Sequence, residues 1–205
     1  MSCARPPAHD EETCSDMAAA TLDTLLTRRL GEKLTEGEET LVRSVLARSD
    51  GAWAGRDVAQ AVCILAKTGE PKYRDTLAEA LQATTDPFVA QYALKGLVRF
   101  LGETGQHIPK LIELCNRAPF DPSGDAQLVA VRLAADVLAA EDSPLLMKVL
   151  IDIAENAEAP VILRQDAVAS LSIGVERLLD EVEDMPETGA EILVLARELI
   201  EPRLN

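Results

Sequence analysis

Aromatic side chains are scarce in this chain of 205 residues, since one Trp, two Tyr and three Phe make up only 3% of it. Sheet-rich domains usually contain more aromatic and β-branched residues. Apolar residues nevertheless account for 47% of the chain, and most of them are Ala, Leu and Val. Ala allows neighbouring helices to approach closely and Leu fills the space between them. The composition therefore predicts an all-α fold.

Histidine is almost absent, because only His9 and His107 occur. The chain has no Walker A loop, no paired-glycine dinucleotide motif and no HExxH motif, and no serine has a recognisable histidine and carboxylate pairing. His107 precedes a predicted helix and is expected to be a cap or a surface group. Acidic pairs three residues apart are common on solvated helix faces, so they do not indicate a general acid and base. We expect a protein that is not an enzyme.

The four cysteines do not indicate a metal site. Cys63 and Cys115 lie in apolar helical segments and are expected to be small core residues. Cys3 and Cys14 lie with His9 in a polar leader, but their spacing matches no zinc-binding pattern. Free thiols are the expected state of Cys3 and Cys14, and no metal or cofactor is predicted.

Long apolar runs are also missing. No stretch approaches the roughly 18 residues that a membrane span requires. The leader MSCARPPAHDEETCSD lacks the apolar centre of a signal peptide, so the expected location is cytoplasmic. Because the leader is polar and contains two prolines and an acidic cluster, residues 1–14 are predicted to be disordered. Residues 15–205 are predicted to form one domain.

Four apolar helical segments share a small-then-large signature that begins at Ala61, Ala93, Ala134 and Ala167. These alanines are 32, 41 and 33 residues apart. A period in this range is typical of helix pairs stacked into a solenoid. The spacing predicts about four to five such pairs in a single α-solenoid.

Capping residues predict where several helices begin. Two helices are expected to open with a capping box, formed by Thr35 with Glu38 and by Thr188 with Glu191. Two others are expected to open with an N-cap residue followed by proline, at Asp86-Pro87 and at Ser143-Pro144. Another helix is expected to begin near Ala52 or Trp53 and to end at Gly69.

Two of the four apolar helical segments, those with Ala93 and Ala167, resemble the HEAT-repeat family in its broad sense, which includes HEAT-like and armadillo-like repeats. The resemblance depends on Asp86-Pro87-Phe88-Val89 with Ala93 and Leu97, and on Leu163-Arg164 with Ala167, Ser170 and Leu171. It covers roughly residues 52–204 and implies a right-handed α-α superhelix. Val58, Ala90 and Val131 occupy the position that Arg164 fills in its unit, and the resemblance implies no catalytic residue.

Negative charge is concentrated in the second half of the chain. Residues 1–100 contain 12 basic and 15 acidic residues, whereas residues 101–205 contain 8 basic and 20 acidic residues, a net charge of −12. Such a field repels nucleic acid and attracts a protein with a basic surface. The candidate partner-binding residues form two acidic groups, which are Asp152, Glu155 and Glu158, and Asp180, Glu181, Glu183, Asp184 and Glu187.

A second candidate interaction feature is aromatic. Trp53, Tyr73, Phe88 and Tyr92 occur in the more neutral half, where an exposed aromatic side chain would be a natural centre of binding energy. For Phe88 and Tyr92, packing in the core is the expected outcome.

These observations favour a non-enzymatic protein-binding α-solenoid. Its most concrete form is an immunity or inhibitor protein that occludes a basic toxin such as a nuclease, because small acidic HEAT-like chains are similar to several bacterial immunity proteins. Carboxylates can imitate the phosphates that a nuclease site expects. A scaffold or adaptor for protein assembly remains open, and so does an enzyme of the HEAT-like bilin lyase type. The oligomeric state is not predicted.

Overall fold

The computed structural model describes residues 22–49, 51–179, 186 and 188–204. These residues form helices and connecting turns with no β-strand, which confirms the predicted all-α class. Helix α1 is described over residues 22–26. The others are α2 (Glu36–Arg48), α3 (Arg56–Thr68), α4 (Arg74–Ala83), α5 (Pro87–Lys95), α6 (Ile108–Cys115), α7 (Asp125–Ala140), α8 (Pro144–Glu155), α9 (Val161–Leu178) and α10 (Gly189–Ile200).

The predicted capping residues perform the expected roles at the starts of four helices. The Thr35 backbone N–H donates to Glu38 at 2.8 Å, which closes the capping box of α2, and an equivalent box opens α10. The Asp86 carboxylate accepts from the Phe88 backbone N–H at 2.9 Å, with Pro87 in the first turn of α5. Ser143 caps α8 in the same way. Local sequence therefore determines these boundaries.

Helix α3 begins later than predicted, at Arg56 rather than near Ala52 or Trp53. The reason is Gly55, whose φ of +96° is incompatible with a helix. The Gly55 backbone N–H donates to the Asp86 carboxylate at 2.8 Å, so the turn before α3 is attached to the start of α5. Trp53 lies in this turn and is buried. Gly69 ends α3 in the left-handed conformation, as predicted.

Helix α5 does not continue as one regular helix to Leu101. The α-helical pattern ends at Lys95, and Gly96–Phe100 forms a π-helical turn closed by a hydrogen bond of 3.0 Å from the Leu101 N–H to the Gly96 carbonyl. A π-helical turn inserts one residue into a helix and changes which side chains share a face. Such turns leave little trace in hydrophobic periodicity.

The odd-numbered helices α3, α5, α7 and α9 pack against one another in chain order. Helices α4, α6 and α8 pack against α5, α7 and α9 respectively, and α10 contacts both α8 and α9. The four alanines of the repeated signature lie one on each of α3, α5, α7 and α9, and all four are completely buried. The signature therefore marks one buried position on each of the helices that pack in succession.

Small residues bring these helices close together. An added Cβ on Gly96 would lie 2.8 Å from the Ala66 Cβ of α3, so the backbones meet without room for a side chain. Between α7 and α9, the buried Ser170 hydroxyl donates to the Val131 carbonyl at 2.7 Å. Close approach of this kind is typical of helices that contact through small residues.

Buried apolar side chains from Leu22 to Ile200 form one cluster. The sequence's prediction of a leader over residues 1–14 lies outside the described residues. The prediction of one domain over residues 15–205 stays a prediction. Helix α10 buries Ala196 and Ile200 but exposes Val194, so one side of this helix faces solvent.

Candidate protein-binding surfaces

Three of the predicted acidic residues lie at the end of α8 and just beyond it. Asp152 and Glu155 are on the last two turns of the helix, and Glu158 is in the turn before α9. All three are exposed. The other five, Asp180, Glu181, Glu183, Asp184 and Glu187, lie outside the described residues.

Two of the three described acids are engaged within the chain. Lys148 donates to Asp152 at 2.7 Å along the same helix, and Arg197 of α10 donates to Glu155. The second pair ties α8 to α10 and is therefore a contact between helices. Glu158 has no side-chain hydrogen bond or ion pair within the described part of the chain. Of this group, Glu158 presents the most available negative charge.

Other exposed acids carry unpaired charge on the same half of the molecule. Glu176 near the end of α9 and Glu198 on α10 have no ion-pair partner among the described residues. Sequence reasoning did not single them out, because an exposed Glu on a helix has no distinctive pattern. The described residues beyond position 100 contain 8 basic and 15 acidic residues, so this half is acidic even without the residues of the α9–α10 connection.

An open apolar groove lies on the outward side of α3 and α5, and we call it the α3–α5 groove. Its two contiguous hollows, of about 380 and 410 Å³, share Cys63 and Tyr92. The N-terminal turns of both helices line one hollow and their C-terminal turns line the other, so α3 and α5 run in parallel along the groove. The apolar lining is formed by Leu26, Leu30, Ala59, Cys63, Ala66, Phe88, Tyr92 and Phe100.

The rim of the groove is basic although the chain as a whole has a net charge of −15. Its charged lining consists of four cations, Arg56, Lys67, Lys95 and Arg99, and one acid, Asp86. The Asp86 carboxylate is occupied by backbone N–H groups of Gly55 and Phe88. The groove therefore has an excess of positive charge.

The four cations are bound to different degrees. Arg99 donates to Asp136 of α7 at 2.8 Å, and Arg56 lies 3.6 Å from Asp23. Lys67 donates to the Leu26 carbonyl at 2.6 Å, and the Lys95 ammonium group lies 5.7 Å from the centre of the Phe100 ring. Within the described ranges neither lysine has a carboxylate partner. Both remain available to an anion.

The aromatic residues separate into two groups. Trp53 and Tyr73 are buried, with 8% and 1% exposure, whereas Phe88 is 48% exposed and Tyr92 is half-buried in the groove. The expectation that Phe88 packs in the core is therefore wrong. Phe88 is the second residue of α5, on the groove side, while the neighbouring Val89 turns into the core.

Cys63 is half-buried in the floor of the groove and is not a core residue, which corrects the sequence expectation, while Cys115 is fully buried as expected. Burial raises the pKa of the Cys63 thiol, and the nearby Lys67 and Lys95 ammonium groups partly oppose that increase. Burial also raises the pKa of the Tyr92 hydroxyl. Both groups are neutral at physiological pH, so they supply polar but uncharged contacts to the groove.

The sequence did contain a signal for this surface. Phe88, Tyr92, Lys95 and Arg99 recur at intervals of four, three and four, which places them on one side of α5 and its π-helical extension. Apolar and aromatic residues at helical spacing usually indicate a core face, which is why the sequence predicts a core position for Phe88 and Tyr92. The lysine and arginine further along the same stripe indicate a solvent-facing side.

Of the two histidines, His107 lies within the described residues and His9 does not. His107 occupies the N-cap position of α6, one of the two roles expected of it, but it makes no side-chain capping hydrogen bond. It is buried at the end of a 3₁₀ turn over Gly105–His107, so it is not a surface group. Its Nε2 lies 3.4 Å from Glu103, which also accepts from Arg74. Over those same residues, no group of three or more His, Cys, Asp or Glu side chains is arranged to hold a metal ion.

The chain matches no family model, no curated protein and no solved structure. None of the helices in the described residues has the length and apolar character needed to cross a membrane.

Proposed function

We propose that this chain is a non-enzymatic, HEAT-like α-solenoid that binds a protein with a basic surface. Its most concrete form is an acidic inhibitor of the immunity type, which occludes a basic toxin such as a nuclease. The order of packing supports the solenoid, because α3, α5, α7 and α9 contact one another in succession and each carries a completely buried alanine of the repeated signature. Stacks of this kind present extended surfaces to partners.

The proposal of a basic partner depends on the excess of acidic residues in the second half of the chain. The described residues beyond position 100 contain 15 acidic and 8 basic residues, and the five acids of the α9–α10 connection add to that excess. Internal ion pairs do not reduce the net charge, and the exposed Glu158, Glu176 and Glu198 carry charge that no described cation offsets. A negative field of this extent accelerates association with a basic protein.

The test begins with purification of the chain and its partner from the native host, followed by identification of the partner by mass spectrometry. Association rates are then measured for the purified pair over a range of salt concentrations. We expect a basic partner and an on-rate that falls about tenfold or more between low and high salt, because salt screens the steering field. An acidic partner, or an on-rate that does not respond to salt, would contradict the proposal.

A matched pair of variants assigns the effect to the acidic half. Glu158, Glu176 and Glu198 are changed to Lys in one variant, and the exposed Glu36, Asp75 and Glu79 of the first half are changed to Lys in the control. Both variants receive the same change in net charge. Slower association of only the first variant, with both retaining their helical dichroism, supports a binding surface on the second half.

A further inference from the structure

We propose that the α3–α5 groove docks an amphipathic helix from a partner protein, with its apolar side in the groove and acidic residues against Lys67 and Lys95. This surface is separate from the acidic half and does not depend on the function proposed above. Its evidence comes from the shape of the groove, its charge, and its difference from the other contacts on the same face.

The same face shows how the chain closes the contact between two odd-numbered helices elsewhere. Arg99 beside α5 pairs with Asp136 of α7 at 2.7 Å, and Arg132 of α7 pairs with Asp166 of α9 at 2.7 Å. Between α3 and α5, no ion pair of described residues crosses the contact. This contact is instead lined by the half-buried Cys63 and Tyr92 and by the exposed ring of Phe88.

The shape of the groove fits a helix better than a small molecule. Small-molecule sites enclose most of their ligand. Here the two hollows are open along their length, and Phe88 remains 48% exposed. From Phe88 to Arg99 the α5 side spans about 16 Å at 1.5 Å per residue, which corresponds to about three turns of a bound helix. An aromatic ring at one end provides an anchor for such a segment.

The positive charge on the rim of the groove indicates that the docked helix carries acidic residues. The two unpaired ammonium groups, Lys67 and Lys95, lie with Arg99 around the hollow at the C-terminal ends of α3 and α5. Three cations around an apolar hollow favour carboxylates at the corresponding end of the docked helix. In a chain with a net charge of −15, a generally basic ligand would be attracted to other surfaces first.

The π-helical turn supports the same assignment. It follows α5 directly, and its residues Arg99 and Phe100 line the groove. Turns of this type occur frequently at functional sites, because they alter side-chain direction at a cost in regular hydrogen bonding. The Gly96 that opens the turn lies against Ala66 of α3, so the turn is held against the groove floor.

The test uses the full chain and a randomised 16-residue peptide library displayed on phage. Peptides are selected on the native protein and counter-selected on the Lys67→Glu/Lys95→Glu variant. We expect enriched sequences with apolar residues at helical spacing and Asp or Glu near one end. A synthetic consensus peptide should then bind the variant roughly 10- to 50-fold more weakly than the native protein.

Three further variants separate docking from folding. Arg48→Glu/Arg177→Glu makes the same change in net charge at exposed cations away from the groove and should bind the peptide normally. Phe88→Asp removes a half-exposed ring and adds a carboxylate to the groove, so it should abolish binding while helical dichroism is unchanged. Because Lys67 and Lys95 also offset the negative helix ends, Lys67→Gln/Lys95→Gln is included, and thermal melts establish that each variant is folded when binding is measured.

Cys63 gives a direct readout of occupancy. In a Cys3→Ser/Cys14→Ser background, the consensus peptide should slow the alkylation of Cys63, while the buried Cys115, whose pKa burial raises to about 12, stays unreactive.

Three results would overturn the proposal. The first is a selection that fails: it enriches basic peptides, it enriches peptides that bind the lysine variants as well as the native protein, or it enriches no peptide. The second is displacement of the consensus by a synthetic peptide of residues 1–21, which would assign the groove to this chain's own segment. The third is a dimer in sedimentation equilibrium that Phe88→Asp dissociates, which would assign it to a second copy.

Discussion

The outward face of the odd-numbered helices differs between the two halves of the molecule. From α5 to α9 each contact between neighbouring helices is bridged by an arginine and an aspartate, whereas from α3 to α5 it is an apolar groove with a basic rim. The helices pack in the same order in both halves. The difference therefore arises from the surface side chains and from the π-helical turn after α5, whose Arg99 and Phe100 line the groove.

The comparison also shows why such a groove is tolerated. An exposed ion pair contributes at most about 1 kcal/mol to stability, so its absence between α3 and α5 costs little. The buried contacts beneath the face supply most of the stabilisation in both halves, through residues such as Ala61, Ala93 and Ala134. Surface chemistry can thus vary from one helix contact to the next while the buried alanines of the signature are kept.

The largest expected effect tests the shared core. Ala134 is completely buried on α7, and Ala134→Leu should lower the free energy of unfolding by about 1–3 kcal/mol because the added carbons must displace neighbouring helices. Ala139→Leu, at an exposed position of the same helix, should change it by less than about 0.5 kcal/mol. Denaturant unfolding of the two variants measures the difference. Equal effects would mean that the alanine signature is not a packing signature.

The next largest effect tests how closely neighbouring helices approach at a glycine in each half of the molecule. A Cβ on Gly96 would lie 2.8 Å from the Ala66 Cβ, whereas a Cβ on Gly174 would meet the flexible end of Leu138 at 3.1 Å. Gly96→Ala should therefore cost about 1–2 kcal/mol and Gly174→Ala less than about 1 kcal/mol. Gly37→Ala has open space around it and should stabilise by about 0.5 kcal/mol, since alanine favours a helix. Thermal melts would rank the three, and a reversed order of the first two would contradict this account.

Much of the fold could be predicted from the sequence because it depends on local chemistry. Capping boxes, the Asp86-Pro87 start and the alanine period all act within a few residues of chain or at one repeated position. The late start of α3 could not be predicted, because it depends on Gly55 donating to Asp86 from 31 residues away. The π-helical turn at Gly96 depends similarly on contact with α3.

The candidate sites were harder to predict than the fold. Net charge identified an acidic half, but only tertiary structure reveals that Glu155 is paired with Arg197 while Glu158 is unpaired. The groove was missed because Phe88 and Tyr92 fit the helical period of a core stripe. Only the position of α3 beside them decides that their side of α5 faces outward.

A smaller effect distinguishes the two kinds of helix contact by their response to salt. Asp166→Asn should cost about 0.5 kcal/mol in dilute buffer and less in 1 M salt, because it removes a screened ion pair with Arg132. Phe88→Ala should cost no more than about 1 kcal/mol, since half of the ring is already exposed, and that cost should persist in 1 M salt. Denaturant unfolding at both salt concentrations provides the comparison. A salt-sensitive Phe88 variant would indicate that the ring acts through charge instead of apolar contact.

The smallest effect concerns the charged cluster that joins α2 to the start of α4, in the same half as the groove. Glu39 accepts from Lys72 at 2.6 Å and from Arg43 at 2.8 Å, and these bonds lower the Glu39 pKa from 4.5 to about 2. Because its pKa is depressed in the folded state, ionised Glu39 stabilises the fold above pH 4.5, and this contribution is lost as the pH falls toward 2.

A double-mutant cycle with Glu39→Gln and Lys72→Met isolates this contribution. The coupling free energy between the two residues should be favourable at pH 6 and should shrink steadily as the pH is lowered below 4.5 toward 3, as measured by thermal melts of the four proteins. A coupling that did not change over this range would mean that Glu39 and Lys72 do not form a structural ion pair.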